Sequence, residues 1–249
     1  MKAIDRLTPP DCLNNDIEDS RKDKISFYKN LFDKYGKVYP RWNSTCKDND
    51  GISIIRKNLL IMSNSSCAYC GKKIGNSSLD VDHYLPLKQF PYIAYCWYNL
   101  IPACKACNQS SKRDFIPSSI KSKIIVEDIV ANTFENNFLY NHKNLLTELH
   151  DRIIEPTFDN PEEHIQFNPE FFYYEPKTEI GKITINMFFN HKEVAEEWEK
   201  LSVLIKELVQ HNVSESLIIR IIDLYGYEYV GLKFYEYWLR EKEEGRINR

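Results

Sequence analysis

Apolar residues recur at helical spacing in several stretches, and these outline the frame of the chain. Ile25, Tyr28, Leu31 and Phe32 predict a helix within 17–35 that Gly36 ends, after an irregular Pro- and Asp/Asn-rich arm over 1–16. Residues 37–50 read as a loop, and Ile52, Ile55, Leu59, Ile61 and Met62 predict a short helix. Residues 125–150 hold one or two further helices. His164 to Tyr174 is aromatic and interrupted by Asn168-Pro169, which predicts a short hairpin. Val194, Ala195, Trp198, Leu201, Leu204, Ile205, Leu208 and Val209 make one face of a long helix. Residues 215–243 supply a helical pair broken near Gly226 or Gly231. Between these lies 67–114, dense in Cys, Asn, Lys and Pro with only short apolar runs. Such a unit buries little surface by itself, and bound metal can supply its folding free energy. The expected division is an N-terminal arm with helices over 1–62, a compact centre over 63–120 and a mainly helical region over 121–249.

Composition narrows the setting. The 43% hydrophobic and 28% charged residues are those of a soluble globular protein. No apolar run approaches the roughly 20 residues that span a bilayer, and no signal-peptide stretch opens the chain. The expected location is cytoplasmic, with no membrane partner. Seven cysteines, an odd number, favour thiolate chemistry in a reducing compartment over a disulfide framework. The net charge is −3, but residues 51–125 carry ten Lys/Arg against three Asp. That implies a small phosphate-facing patch on an acidic body, with a partner protein helping to deliver the substrate.

Cys67-Ala-Tyr-Cys70 and Cys104-Lys-Ala-Cys107 are two C-x2-C knuckles with 33 residues between them. Each such turn points two sulfurs inward, and two turns close a tetrahedral zinc shell. Four thiolates leave no open position, so this zinc is structural. Cys12, Cys46 and Cys96 lack ligand-spaced partners and read as ordinary thiols. His142, His150, His164, His191 and His211 are scattered and read as solvated or helix-end residues.

Between the knuckles stands Leu79-Asp-Val-Asp-His-Tyr-Leu-Pro86. Asp82 and His83 are adjacent, so they serve one site only if their strand ends there, as Pro86 favours. Asn99-Leu-Ile-Pro102 reads as a second short strand, and Cys104 to Lys112 turns into a helix whose Asn108 and Lys112 share a face. The residue types suit phosphodiester hydrolysis. Asp82 and the amide oxygen of Asn108 are the hard donors that Mg2+ takes. A neutral His83 can remove a proton from water. Lys112 or Arg113 would hold a neighbouring phosphate.

The run C-x2-C, Asp-Val-Asp-His, Asn-Leu, C-x2-C-Asn-x3-Lys resembles the HNH endonuclease family. That resemblance implies an α+β, mainly helical protein with a zinc-braced ββα-metal core in a helical frame. It implies that Asp82 and Asn108 hold the catalytic metal, that His83 is the general base, and that Asn99 orders the loop through backbone hydrogen bonds. Many members carry a second His where this chain has Asn108, a departure that favours magnesium over a transition metal. Met1-Lys-Ala-Ile-Asp-Arg6, Asp159-Asn-Pro-Glu-Glu-His164-Ile-Gln-Phe167 and Gly181-Lys-Ile-Thr-Ile185 resemble PtuB-type HNH proteins of Septu and retron-linked anti-phage systems. This implies an effector held by a PtuA-like ABC/SMC-type ATPase, with a retron reverse transcriptase and its msDNA as further partners through the complex. The substrate is DNA or RNA, a tRNA included. A rival reading is a non-catalytic zinc ribbon that binds nucleic acid or a partner. Phe171-Phe-Tyr-Tyr174, which could stack bases, reads first as hairpin core.

Overall fold

A computed structural model describes residues 1–10, 40, 42, 47–90, 94, 96–120, 146–190 and 192–247. The helix expected within 17–35, most of 125–150, Cys12, Cys46, His142 and His191 lie outside the described residues.

Helix α1 (Ile54–Met62) starts where the Ser53 hydroxyl accepts from the Arg56 amide at 3.4 Å. It buries Ile55 and Leu59 against the central strands, while Ile52 and Ile61 face solvent. Strands β1 (Leu79–His83) and β2 (Leu100–Cys104) pair antiparallel, with Asp82 opposite Ile101 and His83 opposite Leu100. The second strand begins one residue later than its pattern predicts, because Trp97–Asn99 forms a 3-10 turn closed by the Asn99 amide on Cys96 O at 3.0 Å. After β2 the chain enters a π-helix, Ala106–Lys112, ended by the Arg113 amide on Asn108 O at 2.8 Å. An ordinary helix is the sequence expectation. The wider i→i+5 turn keeps Asn108 and Lys112 on the face that meets β1, where both find partners. These two strands and this helix form the ββα centre.

The frame follows. Helix α2 (Pro161–His164) leads into the hairpin β3 (Ile165–Asn168) and β4 (Tyr173–Pro176), as the aromatic pattern predicts. Alternation splits the aromatic run: Tyr174 is 3% exposed, but Phe171 and Tyr173 are 63% and 45% exposed, so only part of it is core. The sequence pattern does not predict helix α3 (Glu179–Phe188), since Ile180, Ile183, Thr184 and Ile185 weaken its helical signal. The Thr178 hydroxyl caps it, accepting from Gly181 N at 3.1 Å. Gly181 has a packing reason: a Cβ there would stand 2.0 Å from His164 O.

Helices α4 (Lys192–Gln210), α5 (Glu215–Tyr225) and α6 (Glu228–Glu243) complete the frame, with Trp198, Leu201, Ile205 and Phe234 buried where they meet. The break between α5 and α6 is at Gly226, whose φ is +97°, while Gly231 lies inside α6 against Ile222. The joint grips the first knuckle: Tyr227 N donates to Gly71 O at 2.8 Å, and Lys73 pairs with Asp223 at 2.8 Å. One apolar cluster runs from Met1 through Ile55, Tyr69, Leu100 and Ile154 to Phe234, so arm, centre and helices share a core. Arg6 fastens the arm, donating to Trp97 O, Leu100 O and the fully buried Glu155 at 2.7, 3.0 and 3.1 Å. No described helix is long and apolar enough to cross a membrane.

Candidate active site

The four knuckle cysteines come together. Their sulfurs lie within 4.8 Å of one another, and all four residues are buried. Local geometry aims them: Gly71, at φ +82°, lets its amide reach Cys67 O at 2.9 Å, and the Cys107 amide points at Cys104 Sγ from 3.5 Å. The Cys104 thiol is pulled far below its ordinary value by hydrogen bonds from Cys107, Cys67 and Cys70. The Cys70 and Cys107 thiols are pushed up, chiefly by Cys104. Several thiolates at this spacing need a cation between them, and four sulfurs suit zinc.

Asp82 and His83 end β1. His83 is buried, and its Nε2 lies 2.8 Å from Ala94 O. A carbonyl only accepts, so the ring proton sits on Nε2 and Nδ1 is left as the acceptor. Burial holds the His83 pKa down at about 4 against the opposing pull of that carbonyl, so the ring is neutral at pH 7. Asn99 is fully buried; its Oδ1 accepts from Leu85 N at 2.8 Å and its Nδ2 donates to Leu85 O at 3.0 Å. That pair, with Tyr84 N on Asn99 O at 2.8 Å, folds the chain away after His83.

Asp82 is 2% exposed. Its Oδ2 accepts from the Tyr69 hydroxyl at 2.5 Å and its Oδ1 from Lys112 Nζ at 3.1 Å. Lys112 also donates to His83 O at 2.7 Å. Of the two residues expected as phosphate contacts, Lys112 is 2% exposed because the π-helix turns it under β1. Arg113, its neighbour, is exposed, with Nε on Ser110 O at 3.1 Å. Asn108 is half-buried, and its Nδ2 faces Asp80 Oδ2 at 3.4 Å, beside Gln109 Nε2 at 2.8 Å. A carboxylate accepts only, so the Asn108 amide oxygen points elsewhere and stays available.

Two of these residues escaped sequence reasoning. Asp80 was legible, since alternation puts it on the Asp82 face of β1. Tyr69 was not: nothing in a knuckle's spacing says that its middle residue will meet a carboxylate 13 residues on. Cys96 has no cysteine partner among the described residues, and burial pushes its thiol up to about 12.

The donor set fits a magnesium ion in kind: carboxylate, amide and carbonyl oxygens. Asp82 Oδ1 and His83 O also converge, since one ammonium nitrogen stands 3.1 and 2.7 Å from them.

Residues 67–114, which hold the paired cysteine knuckles, the Asp-His strand end and the ββα unit, match the HNH endonuclease family model. More particularly, the chain is similar to Septu protein PtuB. It is 40% identical to that of Bacillus thuringiensis over 60 residues, 23% of each chain. It is 26% identical to that of Bacillus mycoides (strain KBAB4) over 166 residues, 59% of this chain and 50% of the relative. Protein ea31 of Escherichia phage lambda is 35% identical over 54 residues, 22% of this chain and 18% of that one. The chain thus spans half or less of the length of each of these relatives. No solved structure matches significantly. None of these names bears on the expected retron reverse transcriptase.

Proposed function

We propose that this protein is a metal-dependent HNH endonuclease that hydrolyses phosphodiester bonds of DNA or RNA. The observation that carries the reading is His83: buried, neutral, its Nε2 proton committed to Ala94 O, and set at the end of β1 beside Asp82. His83 Nδ1 takes a proton from the water that attacks phosphorus, the P–O3′ bond breaks, and O3′ gains a proton from solvent. The products carry a 5′-phosphate and a 3′-hydroxyl. Asp82 and the Asn108 amide oxygen would hold the Mg2+, which when bound offsets charge on the phosphoryl and leaving oxygens. Asn99 positions the loop, and exposed Arg113 is the phosphate contact. The similarity to Septu PtuB proteins supports a role as nuclease effector of a cytoplasmic anti-phage complex with a PtuA-like ABC/SMC-type ATPase. The acidic remainder of the chain agrees with affinity residing in the complex.

The test is cleavage by the complex, with the ends sequenced to tell DNA from RNA. His83→Ala should lower cutting by about 10²–10⁴-fold while zinc content and fold persist; cutting by pure His83→Ala protein at the undiminished rate overturns the assignment. One observation favours a non-catalytic zinc ribbon instead: both oxygens of Asp82 are engaged internally. On that reading, His83→Ala and Asn108→Ala leave the biological effect intact while cysteine variants destroy it.

A further inference from the structure

Asp82 sits in a shell that phosphodiester chemistry alone does not require. Its carboxylate is buried with one oxygen on the Tyr69 hydroxyl and the other on the Lys112 ammonium. The Lys112 side chain has no exposed surface, although Arg113 beside it stays in solvent. Burying an ammonium is costly unless its partners compensate fully. Here they are an anionic oxygen at 3.1 Å and a carbonyl oxygen at 2.7 Å, both aimed at one point.

We propose that Lys112 is the resident counter-cation of Asp82, and that a divalent cation binds this carboxylate by exchange for the Lys112 ammonium. The inference rests on reading Asp82 as the metal ligand of an HNH site. A divalent cation held by Asp82 and the Asn108 amide oxygen would compete for the carboxylate oxygen that the ammonium now contacts at 3.1 Å. Two cations on one carboxylate oxygen repel, so the ammonium gives way as the ion binds. Tyr69 plays a different part: a neutral donor on Oδ2, it has no need to leave, and it holds the carboxylate while Oδ1 changes partner. Lysine suits the role, because its flexible stem lets the charge swing away without moving the helix. By linkage the effect is reciprocal: the ion loosens Lys112, and loss of Lys112 tightens the ion.

The test uses the full chain, zinc-loaded, without nucleic acid. In the wild type, acetic anhydride labelling read by mass spectrometry should find Lys112 protected, and its labelling should rise several-fold as MgCl2 is added, with exposed Lys105 as the unchanging control. Asp82→Asn should remove the magnesium dependence. Lys112→Met should bind Mn2+, followed by electron paramagnetic resonance, about tenfold more tightly than wild type. It should also gain more in Tm from Mg2+. Lys112 staying protected at an ion concentration that saturates the protein overturns the proposal. So does a folded Lys112→Met that binds Mn2+ no more tightly, or that binds none. Should that variant not fold, wild-type labelling decides alone. Cleavage is scored separately: a chain that cuts with Lys112 protected loses the exchange and keeps the nuclease. One that exchanges Lys112 and never cuts keeps the exchange and loses the nuclease.

Discussion

The four-cysteine cluster and the Asp82 site lie in the same ββα unit but are built on opposite plans. The cysteine cluster is soft and closed, with every ligand supplied by two local turns. The Asp82 site is hard, and its parts arrive separately: the end of β1, the π-helix, the loop tied by Asn99, and Tyr69 from the first knuckle. The two are not independent. Tyr69 lies between Cys67 and Cys70, Lys112 follows Cys107, and both end on Asp82. The first knuckle and the π-helix that leaves the second therefore each send one residue to the carboxylate, and Tyr69 also stacks on Phe188 of α3 at 4.4 Å. The cysteine cluster thus also sets the orientation of a neighbouring carboxylate, through Tyr69.

The comparison can be broken first at the soft site. Stripping the metal with a chelator, or changing Cys104→Ala, should unfold the centre and disable both sites, because metal binding is folding free energy on the order of 10 kcal/mol in small zinc units. Loss of protease resistance over 67–114, together with loss of zinc, is the expected readout; a centre that stays protected without zinc separates the two sites. The hard site should then fail alone. His83→Ala should lower the cleavage rate by about 10²–10⁴-fold with zinc stoichiometry unchanged by elemental analysis. Smaller is Tyr69→Phe, which leaves Asp82 with one fewer partner and should cost about 1–3 kcal/mol in denaturant unfolding while the cysteines keep their zinc. An unchanged midpoint would mean that the knuckle does not hold the carboxylate. Smallest is Arg113→Ala, expected to shift stability by no more than about 0.5 kcal/mol. It should also lower the salt slope of nucleic-acid binding by about one phosphate contact.

Legibility in sequence followed the range of the forces involved. The knuckles, the end of β1 near Pro86, the hairpin at 165–176 and the long helix over 192–210 were readable, since ligand spacing, turn chemistry and periodicity are local. Helix α3 was missed because its β-branched residues weaken the helical signal and packing overrides it, as Gly181 against His164 illustrates. The Arg6 motif at the start of the chain was visible as a pattern, yet its work, clamping the carbonyls that open β2, depends on residues some 90 positions away.

What the chain alone determined is the chemistry on offer: four thiolates in two turns, and an Asp-His pair whose strand must end. Each follows from residue type and short spacing. Only the tertiary structure decided how Asp82 is held. Lys112 sits 30 residues from Asp82 and reads in sequence, like Arg113, as a phosphate contact. Its burial follows from the wide turn of the π-helix, the pairing of β1 with β2 and the seat provided by Asp82 and the His83 carbonyl. Those are long-range facts, because a charged side chain goes inside only where distant partners have been assembled to meet it.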